Sequence, residues 1–113
     1  MFRIYGRSTV SEFLADRIVY RNLEPADPRL PPLESLRGRL GLPEGPTPRK
    51  SEAGYARVIV ELLRAARRQD APLAAIRKLV LIGDTRLLDG TAFENICQAG
   101  NWPGLAFIGS ETR

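Results

Sequence analysis

Prolines decide where this chain can be regular. Seven of its nine prolines fall between Glu24 and Pro48, at Pro25, Pro28, Pro31, Pro32, Pro43, Pro46 and Pro48. Each lacks an amide proton and resists the interior of a helix or a central strand. The stretch reads as a stiff connector with room for one helix of two or three turns, "LESLRGRL", after Pro32. Leu30, Leu33, Leu36, Leu40 and Leu42 make it too apolar for a disordered linker. Long regular elements are confined to the residues on either side.

Before the connector, "FRIYG" at 2–6 predicts a short strand. "STVSEFLADRIVYRNL" predicts a helix, because Thr9 and Glu12 form a capping box and Val10, Phe13, Leu14 and Ile18 recur at helical spacing. After the connector, "KSEAGYARVIVELLRAARRQD" is the clearest helix. Ser51 suits its N-cap, and Glu52 suits the positive end of the helix dipole. Tyr55, Val58, Ile59, Leu62, Leu63 and Ala66 form an apolar stripe, with Arg57, Glu61, Arg64, Arg67 and Arg68 turned away.

"KLVLIG" is an apolar run without alternation, as in a strand covered on both faces. "TAFENICQAG" predicts a helix stopped by Gly100, and "GLAFIG" a second strand. A strand, a helix and a strand within some thirty residues make a βαβ unit, whose strands pair in parallel through a right-handed crossover. The expected fold class is α/β: a partial Rossmann-like three-layer core, with a short parallel sheet and flanking helices. Three regions follow: a strand and helix at 1–23, the connector at 24–48, and the βαβ core at 49–113.

Composition excludes several chemistries. The chain has 113 residues, enough for one hydrophobic core. It has no histidine, which removes Ser-His-Asp and Cys-His nucleophile systems and His-containing zinc sites. Cys97 is the only cysteine, so an intrachain disulfide is excluded; its place between Phe93 and Ala99 suits a small core residue better than a reactive thiol. Catalysis would have to rest on carboxylates, lysine, hydroxyls or a hard metal. No apolar run reaches the length of a bilayer span, and "MFRIYGRSTV" has no signal-peptide core, so the expected location is the cytoplasm. The net charge is +4 with only two lysines among seventeen basic residues. The arginines are scattered and not interleaved with aromatics, which favours a solvated surface over a nucleic-acid partner.

The apolar run ends on Gly83-Asp84, and Asp89 follows five residues later. Ligands of open α/β sheets bind beyond the carboxyl ends of the strands. Two carboxylates held close repel unless a cation, a proton or a donor intervenes. Mg²⁺ suits such a site, because it takes oxygen ligands and often only one or two protein carboxylates. The competing reading is structural: Asp84-Thr85 forms an Asx turn, and Asp89 caps the next helix.

Over residues 47–110, an ordered series of features resembles the haloacid dehalogenase-like (HAD) hydrolases. "LVLIGDTRLLD" is similar to the fourth motif, in which Gly-Asp after a hydrophobic strand is followed by a second acid. "PTPRKSEAGYARVIVELL" is similar to the third motif, a lysine opening a long amphipathic helix. "QAGNWPGLAFIG" is similar to the Ala-Gly turn and strand that follow. The resemblance implies Mg²⁺ at Asp84 and Asp89, Lys50 as the catalytic lysine against the phosphoryl charge, and Thr85 as a substrate contact. Arg49 is a less suitable substitute for Lys50. The stretch between Asp84 and Ala99-Gly100 is longer than the usual pattern, which implies an elaborated loop at 85–91.

The family's first motif, Asp-x-Asp, is absent. Ser8 and Thr9 resemble at most its second motif, and "LLDGTAF" places Leu87 where the nucleophile belongs. The expected activity is therefore that of a Mg²⁺-dependent, phosphatase-type hydrolase, or part of one, without its own nucleophilic aspartate. The nucleophile would lie in a longer protein or in a partner chain that completes the sheet, or a degenerate member binds its phosphorylated ligand without turning it over. The alternative function is a non-catalytic α/β binding or scaffolding module. The connector is the candidate remnant of a substrate-selecting cap.

Overall fold

The structure, a computed structural model, describes residues 3–4, 18–19, 22–70, 76–83 and 86–108. In chain order its elements are β1 (Arg3–Ile4), β2 (Ile18–Val19), α1 (Leu33–Leu40), α2 (Ala53–Asp70), β3 (Leu79–Gly83), a π-helical turn (Arg86–Gly90), α3 (Thr91–Gly100) and β4 (Gly104–Ile108).

The core is built on α2. Its Val58, Ile59 and Leu62 are sealed from solvent, and α2 packs along α3 and also meets α1. Leu30, Leu33 and Leu36 of the proline-punctuated region enter the same cluster, as do Ala92 and Ile96 of α3. Each such buried aliphatic side chain contributes about 1.5–3 kcal/mol relative to exposure.

Helix α1 starts after Pro32, where a missing amide proton costs nothing, and ends at Gly41 in the left-handed conformation (φ 68°). The Leu42 N–H donates to the Arg37 carbonyl at 2.9 Å, which closes that end. Arg37 is itself buried. Its guanidinium donates to the carbonyls of Pro43 (2.7 Å) and Gly45 (2.9 Å), and so pins the loop that follows the helix.

The expected three-layer α/β core is not what forms. The described residues are mostly helical, and strand pairing among them is limited to two separate two-stranded ladders and an isolated antiparallel bridge from Val19 to Pro25. In one, β1 and β2 pair over two residues, Arg3 opposite Ile18 and Ile4 opposite Val19. In the other, β3 and β4 run parallel, from Leu79 opposite Gly104 to Gly83 opposite Ile108. Strand β4 is exposed from Gly104 to Phe107. Gly104 approaches Phe93 and Cys97 of α3 closely, whereas Leu105 and Phe107, of opposite pleat, are 45% and 55% exposed. Among the described residues the apolar stripe of α2 is buried mainly against α3 and α1, with Val19, Leu30 and Leu79 completing the cluster, and not under a continuous sheet. Helical periodicity shows that a face is apolar and leaves open what covers it.

Smaller corrections have equally local causes. Ile18 and Val19, expected in a helix, are extended in β2, and Val19 is fully buried. Residues 8–17, 20 and 21 of that expected helix, Ser8 and Thr9 included, lie outside the described residues, and Leu23 at its end is buried in a left-handed conformation (φ 62°) that no helix adopts. Ser51 lies in the turn ahead of α2. There the Arg49 N–H donates to the Glu52 carboxylate at 2.7 Å, and the Glu52 N–H donates to the Arg49 carbonyl at 2.9 Å. Helix α3 ends on Asn101, left-handed at φ 57°, with the Trp102 N–H on the Cys97 carbonyl at 2.9 Å. Gly100 has another task. A Cβ there would collide with the Trp102 ring, which folds back over it.

Candidate functional site

The turn before α2 and the π-helical turn before α3 are 39 residues apart in sequence and meet in space. Lys50 Nζ donates to Asp89 Oδ1 at 2.9 Å. The two ends of the bond differ. The Lys50 side chain is 48% exposed and that of Asp89 only 11%, so the ammonium faces water while the carboxylate is set into the protein. A second bond ties the turn before α2 to α3 itself, from Asn95 Nδ2 to the Ser51 carbonyl at 3.2 Å.

Helix α3 begins on Gly90 without a side-chain cap bond, and Asp89 is turned towards Lys50. The helix-capping reading of Asp89 therefore does not hold. A π-helical turn widens the helix by one residue per turn and often marks a functional position. Here it carries Leu88 outward, 50% exposed, and Asp89 inward.

Tyr55 closes the inner side. It is buried, and its hydroxyl is pushed up from 10.0 to about 12, first by loss of hydration and then by the negative charge of Asp89. Tyr55 had been legible only as a core position. Its tie to the site needs the contact across the chain, which no local pattern announces. Asn95 was missed for the same reason.

Of the sequence-predicted site residues, the structure brings Lys50 and Asp89 together. Asp84 and Thr85 lie outside the described residues. Among the described residues, no three Asp, Glu, Cys or His side chains gather into a metal-binding group. Asp89 offers one carboxylate, which is within what Mg²⁺ accepts from a protein. The exposed Lys50 ammonium is suited to a phosphate oxygen. Arg49 is exposed and uses its backbone N–H in the turn. Cys97 is half-buried, and burial pushes its thiol up, away from the reactive thiolate.

Tyr55 makes stability depend on alkaline pH. The folded state holds the phenolic proton to about pH 12, whereas the unfolded chain releases it near 10.0. Above pH 10.0 the unfolded state binds fewer protons, so the contribution is full below that point and is lost as pH rises towards 12. The expected loss is about 2–3 kcal/mol. Denaturant titrations of the parent and of Tyr55→Phe between pH 9 and 12 should diverge accordingly. Parallel curves would refute the assignment.

Comparison with known proteins brings no relative: no family model, no curated protein and no solved structure matches the chain. No helix among the described residues is long and apolar enough to cross a membrane.

Proposed function

We propose that this chain carries the lysine-and-acid part of a Mg²⁺-assisted, phosphatase-type site of the HAD kind, and that it does not hydrolyse phosphate esters by itself. One observation carries the reading. The lysine that resembles the third motif lies 2.9 Å from the acid that resembles the fourth, although 39 residues separate them. Asp89, together with Asp84, would hold the cation, which when bound would supply positive charge against phosphate oxygens. Lys50 would hold the phosphoryl group of a small phosphorylated ligand, with Thr85 beside it. The sequence contains no Asp-x-Asp. The attacking carboxylate would come from a partner that also completes the open strand pair, in the cytoplasm.

Mg²⁺ at millimolar concentration is expected to raise the melting temperature of the parent, and Asp89→Asn and Asp84→Asn are each expected to abolish that rise. An aryl phosphate should release no phosphate with the chain alone. A melting temperature indifferent to Mg²⁺ in all three proteins would defeat the reading.

A second reading rests on the depth of Asp89. Its carboxylate is nearly enclosed and meets Lys50 directly, as a brace between the starts of α2 and α3 would require. In that case the chain is a binding or scaffolding module. Replacing both partners with apolar residues of similar size would then leave stability unchanged or raised.

A further inference from the structure

The arginines of this chain divide into two populations. Those around α1 and the first turns of α2 are spent within the fold. Arg29 grips the buried Asp27 at 2.8 Å, Arg39 pairs with Glu61 at 2.7 Å, Arg57 donates to the Leu40 carbonyl at 2.6 Å, and Arg37 holds the loop after α1. The second population lies at the other end. Arg67 and Arg68 occupy the last turn of α2, and Arg77 and Lys78 lead into β3. All four are exposed, and among the described residues none has a carboxylate within ion-pair distance.

Trp102 joins the two segments. The Arg64 guanidinium lies over its ring at 5.5 Å, while the neighbouring Pro103 carbonyl accepts the Leu79 N–H at 3.0 Å. The approach to β3 is thereby held beside the tryptophan, and the end of α2 is held on it. Arg64 touches Glu61 only at 3.5 Å, and its guanidinium lies within cation–π range of the indole. Between residues 62 and 78, five cations face the single acid Asp70, which leaves this short stretch with a net charge of +4, equal to that of the whole chain.

We propose that this surface (Arg64, Arg67, Arg68, Arg77 and Lys78 around Trp102) binds the phosphate backbone of a nucleic acid without reading its sequence. The scattering of arginines along the sequence concealed it, because two segments and a tryptophan distant from both build the patch. Cations at a helix C-terminus also complement its dipole, which accounts for Arg67 and Arg68 but not for Arg77 and Lys78. A lipid surface fits less well. Membrane docking wants apolar side chains beside the cations, and the exposed Leu105 and Phe107 lie on the face of β4 turned away from α3. The patch is independent of Lys50, since Arg64, Arg67 and Arg68 lie about 17–23 Å along α2 from its first residue.

The test is fluorescence anisotropy of a fluorescein-labelled oligothymidylate titrated with the full chain over a series of salt concentrations. Trp102, the only tryptophan, gives a second signal from within the patch. With four or five phosphates engaged, log K should fall against log salt with a slope of about −3. Arg67→Gln/Arg68→Gln and Arg77→Gln/Lys78→Gln should each flatten that slope by about 1.4. Arg39→Gln/Arg57→Gln should leave it unchanged, with circular dichroism confirming that all variants fold. The proposal is overturned if the parent does not bind at low salt, or if both patch variants keep the parental slope. It is equally overturned if the control pair flattens the slope as much, or if phosphatidylserine vesicles are bound and the oligonucleotide is not.

Discussion

Leu36→Ala is expected to lower the free energy of unfolding by about 2–5 kcal/mol and to do so in one cooperative transition. Leu36 is fully buried and belongs to the same cluster as Ile59, Leu62 and Ile96, although it stands in the proline-punctuated region. Alanine there removes three carbon atoms from a packed interior that can close only partly around the void. A domain of this size has about 5–15 kcal/mol in hand, so the variant should be visibly less stable. The informative measurement is the agreement of two probes. Far-ultraviolet circular dichroism reports all helices, whereas Trp102 reports the junction of α3 and β4, away from α1. Coincident denaturation curves, both shifted, are the expected result. If the tryptophan curve stayed in place while helicity fell early, α1 would be a detachable cap, not part of the core.

The same residue shows what a single sequence can disclose here. The leucine spacing from Leu30 to Leu42 marked the connector as too apolar for a linker, and "LESLRGRL" is a helix as expected, Leu33–Leu40. The longest helix, both strands of the parallel pair and the helix between them were also legible, because each depends on nearby residues: caps, periodicity and turn-formers. The layer arrangement was not. Nothing in "VIVELL" states whether a sheet or another helix will cover it, and the three-layer expectation failed at that step. The candidate site divides along the same line. Lys50 and Asp89 were named from their chemical type and place in an ordered series, whereas Tyr55, Asn95 and the basic patch around Trp102 arise only when distant turns meet.

Gly104→Val is expected to cost about 1–3 kcal/mol, because the first residue of β4 has no room for a side chain. A Cβ at Gly104 would run into the edge of Phe93 and come within 2.7 Å of Cys97 Sγ. Phe93 is almost wholly buried and cannot swing out of the way without exposing its ring, and Cys97 is held by the helix. The strand must therefore lift from α3. Lifting it strains the Leu79 N–H to Pro103 carbonyl bond immediately before the ladder, and with it the register of Leu79 opposite Gly104. The steric cause can be separated from a general intolerance of substitution by a double-mutant cycle. Phe93→Leu alone should destabilise by about 1 kcal/mol through lost packing, yet combined with Gly104→Ala it should recover much of the cost of the alanine by vacating the space the new methyl needs. Strictly additive losses, measured by denaturant titration followed at Trp102, would mean that the glycine serves backbone freedom and not the close approach of strand to helix.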